Sequence, residues 1–566
     1  MRHRASTLVL VMLAACVWSA LRAAPAYAQA DAPKLELRER WVYYSTNLLV
    51  DKNVDTMETV MRRAAKADYN GVMLADSKFG RLKQMPPRYF ANAQRVRKLA
   101  DELNLKLVPA VFPLGYSEAI LSQDPNLAEA LPVRDALFVV KGGEARLVAA
   151  PQVSLPGGDF ANLTQWTWKD DTVAADQGAA RVTDPNGKNA RLTQKLAVRP
   201  FRQYHVSVRI KTQDFKGTPE IKVLAASDPK SLNFASLGVK PTQDWTEHHI
   251  VFNSLDHEQV SLYLGCWDGR TGSLWFDDAR IEEVGLLNVV RRAGAPLAVR
   301  RDGAAAEDPP LVEGKDFQPI TDPRMGVTPW PGSYEVWHQP PTIKTNLPDG
   351  TRLRVSYFHA ITVYHHQVMI CPSEPRTSEL LAEQAQRVHE AFAAPDYFMS
   401  HDEIRVLNWD KACADRQLDA GAILAENVKT CTDILRKLNP GGDVYVWSDM
   451  FDPHHNAHAN YYLVRGDLTG SWQGLGKNVN IVLWHHAQRD PSMRFFAQRG
   501  HRMLIAGYYD ANPQKMRDWL DSARQLAAQR KAGPGEQPII GAMYTTWRNN
   551  YDDLETFAAI VDEYRK

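Results

Sequence analysis

The sequence predicts an α/β fold, a barrel of eight parallel strands interrupted after its third strand by an all-β sandwich. Three observations carry this expectation. Short, continuously apolar segments alternate with amphipathic helical ones near both ends of the chain, the pattern of a parallel sheet covered by helices. From about residue 150 the rhythm changes to short alternating strands separated by Asp, Asn, Gly and Pro, which reads as a sandwich. Three apolar segments before the change and five after it make eight, the count of a (β/α)8 TIM barrel.

The first thirty residues read as a targeting segment. Arg2, His3 and Arg4 give a basic start, Ser6 to Leu21 is largely apolar, and Ala28-Gln29-Ala30 is a small-x-small cleavage site. Residues 1–30 are expected to be a cleaved signal peptide, and the protein to be secreted or periplasmic. Leu13-Ala14-Ala15-Cys16 offers a competing reading, a lipidated Cys16. No later apolar stretch reaches the ~20 residues that span a bilayer, so no transmembrane segment is expected.

The mature chain is expected to divide into a first barrel part (31–148, strands one to three), a sandwich (149–286), a β-rich extension (287–355) and a second barrel part (356–566, strands four to eight). Strands are expected at 40–46, 71–76 and 105–113, with helices at 54–68 and 89–103. After the insertion, 351–359 reads as a strong strand and 377–393 as a helix. The barrel rhythm then resumes with strands at 397–400, 444–448, 480–484, 503–508 and 539–544, alternating with helices near 419–438, 491–498, 513–529 and 551–563.

Composition excludes some partners. The 566 residues are 44% hydrophobic and 23% charged with a net charge of +1, which is ordinary for a multidomain globular chain and gives no electrostatic footprint for nucleic acid. Beyond the leader stand Cys266, Cys371, Cys413 and Cys431. Cys413 and Cys431 are close enough in sequence to form a disulfide, and free buried thiols fit equally. No C-x-x-C occurs, so a cysteine-built zinc site is not expected.

Within the middle segment, Gly157-Gly158-Asp159-Phe160, Trp166, Gln203-Tyr204, Asp244-Trp245-Thr246 and Trp275-Phe276-Asp277-Asp278 resemble the jelly-roll-like carbohydrate-binding modules appended to xylanases. The resemblance implies a structural calcium to which Asp277-Asp278 could contribute. It also implies sugar stacking on one or two of Trp166, Trp168, Trp245, Trp267 and Trp275.

Groups at the C-terminal ends of barrel strands line the catalytic mouth. Those positions hold His401, Asp402 and Glu403 after strand four, Trp447 and Asp449 after strand five, and Trp484 and His485 after strand six. Tyr508 and Asp510 follow strand seven, Tyr544 and Trp547 strand eight, and Tyr357 and His359 stand at the insertion's return. Aromatic faces converging with carboxylates suit a saccharide and an oxocarbenium-like transition state. A carbohydrate substrate is therefore expected, with Glu403 and Asp402 catalytic and the other residues binding it.

Adjacent carboxylates cannot easily flank a scissile bond at the ~5 Å or ~6.5–9.5 Å that paired glycosidase carboxylates need. Asp402-Glu403 on strand four, with Trp447 and Trp547, resembles instead the family 20 β-N-acetylhexosaminidases and more loosely family 123. The resemblance implies substrate-assisted retaining catalysis, with Glu403 protonating the leaving oxygen and Asp402 holding a 2-acetamido group. The chain departs from that pattern in having Ser400-His401 where glycines usually stand, no arginine within Trp41–Thr46, and Arg548 after Trp547. Two alternatives stay open: Glu403 acting with Asp449 or Asp510 as a conventional pair, and a non-catalytic glycan-binding protein. The histidines of Asp452–His458 with His485-His486 are read as hydrogen-bonding groups rather than a metal site, since no H-E-x-x-H occurs. No catalytic cofactor is expected, and without a G-x-S-x-G elbow a serine hydrolase is not expected either.

Overall fold

The computed structural model describes residues 34–565 except 150–152, 183–187, 228–229, 235, 268–269, 306, 365–366, 509, 511 and 531–536; the expected leader lies outside the described residues. Eight parallel strands close into a barrel in chain order: β1 (Glu39–Thr46), β2 (Gly71–Asp76), β3 (Lys106–Val111), β4 (Tyr397–Met399), β5 (Val444–Trp447), β6 (Val479–Leu483), β7 (Met503–Ile505) and β8 (Ile539–Tyr544). Closure comes from β1 on β8, in a register running from Glu39 opposite Gly541 to Val42 opposite Tyr544.

Alternation along the strands separates two cores. Side chains at one parity, such as Val42, Tyr44, Val72 and Leu74, pack outward among the helices. Those at the other parity, Trp41, Tyr43, Met73, Val108, Phe398, Tyr445, Trp447, Val482, Leu504 and Met543, fill the barrel. Trp41 meets Tyr445 edge-on with ring centroids 4.6 Å apart, and the space for the indole exists because position 71 is glycine. A Cβ there would stand 2.4 Å from Trp41 Cδ1. The helices lie near their expected places: Asp51–Lys66, Pro87–Glu102, Pro375–Phe392, Ala420–Leu438, Arg489–Gln498, Lys515–Arg530 and Leu554–Asp562. Two strands end earlier than the apolar pattern indicated. β3 stops at Val111 because Phe112 adopts a left-handed conformation, φ 60°, and β7 stops at Ile505.

Between β3 and β4 the chain builds three antiparallel sheets. Two have the alternating apolar face of a sandwich: a five-stranded sheet around Gln203–Lys216 and Thr271–Val284, and a four-stranded sheet around Gln259–Cys266 and Ala190–Ala197. Tyr204, Val206, Val208 and Ile210 of the first share one buried cluster with Val260, Leu262 and Leu264 of the second. The third, six-stranded sheet contains Ala130–Lys141 paired antiparallel with Arg352–Ala360. Residues 130–147, expected in the first barrel part, therefore pair with the return limb instead.

Residues of the sandwich named for calcium and for sugar stacking have partners within the protein. Asp278 receives both Nε and Nη2 of Arg280 at 2.9 Å, which occupies that carboxylate. Trp166 is buried and stacked on Phe160. Trp168, Trp245, Trp267 and Trp275 carry Arg191, Arg209, Lys222 and Arg181 over their rings at 5.0, 5.5, 4.2 and 5.1 Å, cation–π contacts on one face of each.

The fit of Trp41 over Gly71 yields a stability prediction. Gly71→Ala is expected to cost about 1–3 kcal/mol through overpacking of the barrel, read as a lower urea midpoint at unchanged slope in equilibrium unfolding.

Candidate active site

The barrel mouth holds a cavity of about 520 Å³ lined by Tyr43, Met73, Ala75, Pro113, Tyr116, Ser400, Asp402, Glu403, Trp447, Trp484 and Trp547. Five aromatic side chains, Tyr43, Tyr116, Trp447, Trp484 and Trp547, make much of its wall. Tyr43 contacts Trp547 at 5.1 Å, and Trp447 lies 6.0 Å from Trp547. Trp547 is 47% exposed, whereas Trp447 is 4% exposed. One indole therefore forms the lip and another the floor.

The two carboxyls arrive on an unusual backbone. After β4 the chain turns at Glu403, whose φ is 50°, a left-handed conformation that the surroundings must impose on a non-glycine residue. Three contacts impose it. Glu403 N–H donates to Asp449 Oδ2 at 2.9 Å, and Glu403 C=O accepts from Gln367 Nε2 at 2.9 Å. The loop after β3 packs directly beneath: a Cβ on Gly115 would lie 2.1 Å from the Asp402 carbonyl oxygen, so only glycine permits that approach.

Glu403 and Asp402 sit in different electrostatic surroundings. Glu403 Oε1 pairs with Arg405 Nη2 at 2.5 Å, and Oε2 accepts from the Tyr116 hydroxyl. Arg405 is itself enclosed, its guanidinium 4.7 Å from the Tyr364 ring and 4.9 Å from the Tyr462 ring, and it donates to Gln367 Oε1. Asp402 has no such partner among the described residues. Burial, then the negative charges of Asp449 and Glu403, push its carboxyl up to about 8. Asp449 is also pushed up, chiefly by burial.

The other expected site residues divide. Trp447, Trp484 and Trp547 line the cavity with Asp402 and Glu403. Asp449 is fully buried and acts on its neighbours: Oδ2 accepts from Glu403 N–H and Asn456 Nδ2, and Oδ1 from Trp484 Nε1 at 3.3 Å. Asp510 accepts from the backbone N–H groups of Trp547 at 2.6 Å and Arg548 at 3.2 Å, so it holds the lip. His485 stacks on His455 at 4.2 Å, which meets Trp484 edge-on at 4.5 Å.

Five residues expected to bind substrate stand elsewhere. His401 points away from the mouth, since neighbours along an extended segment face opposite sides; it is fully buried, hydrogen-bonds Asn427 Oδ1 at 3.1 Å, and burial lowers it to about 4. Tyr357 lies in the six-stranded sheet, where its hydroxyl accepts from Leu286 N–H at 2.8 Å. His359 on the same strand bridges Gln203 and Asn253 of the sandwich at 3.1 and 3.0 Å. Both belong to an inter-sheet seam. Tyr508 and Tyr544 stack on each other at 4.3 Å and bond Asp553 and the Asn550 carbonyl, packing behind the mouth. Sequence reasoning in turn missed Tyr43, Tyr116 and Arg405 as site residues. Tyr43 was readable, because it shares strand parity with Trp41; the two loop residues gave no periodic signal.

No protein-family model matches the chain, and no curated protein matches its sequence. Among solved structures it is similar to a family 20 β-N-acetylglucosaminidase (10% identity, 94% of this chain, 68% of that one, TM-score 0.35). It is also similar to a rhamnosidase from Novosphingobium sp. PP1Y (12% identity, 94% of this chain, TM-score 0.33), of whose length it spans 59%. A xylan-binding CBM22-1 domain from Paenibacillus barcinonensis matches 23% of this chain over 92% of its own length, at 16% identity and a TM-score of 0.19.

The raised Asp402 carboxyl gives a stability signature. An unfolded aspartate titrates near ~3.9, so the folded state binds this proton more tightly. The resulting stabilisation is complete below about pH 4 and is lost as pH rises through about 8. Asp402→Asn, which mimics the protonated form, is expected to melt higher than wild type at pH 9. That difference should shrink toward pH 4 in thermal unfolding monitored by circular dichroism.

Proposed function

We propose that the protein is an exported glycoside hydrolase acting on N-acetylhexosaminides by substrate-assisted, retaining catalysis. The observation that carries the reading is the cavity lining itself: an aromatic wall of Tyr43, Trp447, Trp484 and Trp547 facing two carboxyls, Asp402 and Glu403, of unequal environment. Apolar walls with few convergent polar groups suit one sugar ring whose C–H faces stack on indoles. The basic and apolar N-terminal segment with its Ala-Gln-Ala site supports export.

The geometry favours the substrate's own acetamide as nucleophile. A conventional pair needs a second carboxylate across the scissile bond. Asp449, fully buried, and Asp510, held by the backbone N–H groups of Trp547 and Arg548, are the residues considered for that part. Neither lines the cavity. The 2-acetamido carbonyl oxygen then attacks the anomeric carbon as the leaving oxygen takes a proton, and water opens the resulting oxazolinium ion.

Electrostatics divide the labour between the pair in the reverse of the sequence expectation. Glu403, one arm of an ion pair with Arg405, is the anion that accepts the acetamide N–H and steadies the developing positive charge. Burial and the neighbouring carboxylates raise the Asp402 carboxyl toward the working range, which suits it to be the general acid, a role best filled by a group titrating near the working pH.

Release of reducing ends from a glycan panel containing N-acetylhexosamine tests the reading. Wild type is expected to cleave and to be inhibited by a thiazoline that traps the acetamide-binding geometry. Asp402→Asn and Glu403→Gln are each expected to lose about 10²–10⁴ in kcat on natural leaving groups. Only Asp402→Asn should recover substantially with dinitrophenyl glycosides, whose departure needs no acid, and it should lose the alkaline limb of the pH profile near 8. Recovery by Glu403→Gln instead would return the acid role to Glu403. Binding without cleavage of any glycan would leave a glycan-binding protein.

A further inference from the structure

Where the insertion leaves and rejoins the barrel, four metal-ligating side chains meet in the interior. Glu129 precedes the strand Ala130–Lys141, Cys371 precedes the helix Pro375–Phe392, and Asp410 caps the short helix Lys411–Ala414 that holds Cys413, in the segment that follows Glu403. All four are buried, and one ligand atom from each lies within 4.8 Å of every other. We propose that Glu129, Cys371, Asp410 and Cys413 form a structural site for a tetrahedral, thiophilic divalent cation of the zinc class.

The spacing fits that geometry. Metal bonds of about 2.3 Å to sulfur and about 2.0–2.2 Å to carboxylate oxygen give tetrahedral edges of about 3.8 Å between sulfurs and about 3.5 Å between sulfur and oxygen. Here Cys371 Sγ and Cys413 Sγ are 3.6 Å apart, Cys371 Sγ is 3.6 Å from Asp410 Oδ1, and Cys413 Sγ is 3.5 Å from Glu129 Oε2. A disulfide would bring the sulfurs to about 2.05 Å.

Each carboxylate also has the bearing of a monodentate ligand with its second oxygen anchored. Glu129 Oε1 accepts from Trp409 N–H at 3.0 Å and Asp410 N–H at 3.5 Å, leaving Oε2 toward the sulfurs. Asp410 Oδ2 accepts from Arg292 Nη2 at 2.7 Å, while Oδ1, which also accepts from Cys413 N–H at 3.0 Å, faces Cys371. Such outer contacts orient metal ligands. Ser373 Oγ, 3.2 Å from Cys413 Sγ, is held in turn by Arg416.

The charge balance points the same way. Arg292 divides its guanidinium between Asp410 and Glu374, each at 2.7 Å, so among the described residues no cation forms an ion pair with the fully enclosed Glu129. Buried carboxylates that keep their charge are ordinarily paired or metal-bound. Two thiols beside two hard oxygens select zinc over calcium or magnesium. The ligands come from segments as far apart as Glu129 and Cys413, so a bound ion would staple both ends of the insertion to the loop carrying the candidate active site.

The test uses the full chain expressed with its leader and purified without chelator. Elemental analysis is expected to find about one zinc per chain. Cobalt(II) exchanged into the protein should give thiolate-to-cobalt charge-transfer absorption in the near ultraviolet. The Cys371→Ser/Cys413→Ser variant, checked for folding by circular dichroism, should retain less than a tenth of the zinc, and zinc removal from wild type should lower Tm. Glu129→Gln gives a second, milder variant and is expected to bind zinc more weakly in a chelator competition. A Cys371–Cys413 disulfide in peptide maps of the non-reduced protein overturns the proposal, as do free thiols with neither zinc nor a cobalt band. These readouts do not depend on whether any glycan is cleaved.

Discussion

The arrangement of the molecule depends on a very short parallel contact, Phe398 and Met399 of β4 against Ala110 and Val111 of β3. Every residue of the three antiparallel sheets lies between these two strands in sequence, so their pairing is the point at which the insertion's ends must return to one place. Loop-closure cost grows only slowly with length, and the sheets between are themselves ordered. The closure therefore needs well-made ends more than it needs many hydrogen bonds. Ser400 N–H continues the ladder to Val111 C=O at 2.7 Å, and Leu114 N–H reaches back to Ser400 C=O at 3.2 Å. The last contact of the barrel seam is thus the first support of the candidate site.

A barrel closed in this way has no room for chemistry in its centre. Trp41 and Tyr445 fill the interior, and polar groups can face substrate only where strands end. β4 is three residues long, so the chain reaches the mouth quickly and must turn within it. The left-handed Glu403 accomplishes that turn and puts two successive carboxyls into one cavity. An extended pair would have faced opposite sides.

The same constraints decide which parts were legible in the sequence. Barrel strands were readable because continuous apolar runs between amphipathic helices fit little besides a helix-covered parallel sheet, and Trp447, Trp484 and Trp547 followed from strand counting. Tyr357 and His359 misled because their strand, read as the insertion's return, was expected to deliver them beside the mouth; long-range pairing with Ala130–Lys141 holds Arg352–Ala360 in another sheet. Reading strand parity through His401 and Asp402 would have turned the histidine away from the cavity. The environment of the carboxyls was not readable, since Tyr116, Gln367 and Arg405 converge from loops without periodicity. The cysteine pairing fails similarly: Cys413 meets Cys371, not the nearer-in-sequence Cys431.

The insertion bears on the chemistry through Arg405 more directly than through any sugar-binding face. Phe234, from the sandwich, packs on Tyr462 with ring centroids 4.4 Å apart, and its carbonyl accepts from Tyr364 N–H at 2.9 Å. Tyr364 and Tyr462 join hydroxyls at 2.9 Å and together cover the Arg405 guanidinium. Shielding a cation from water strengthens both its aromatic contacts and its ion pair. The sandwich thereby helps hold Arg405 in its ion pair with Glu403. The sandwich is thus, in its packing, a support for the tyrosine pair that covers Arg405 behind the carboxyls.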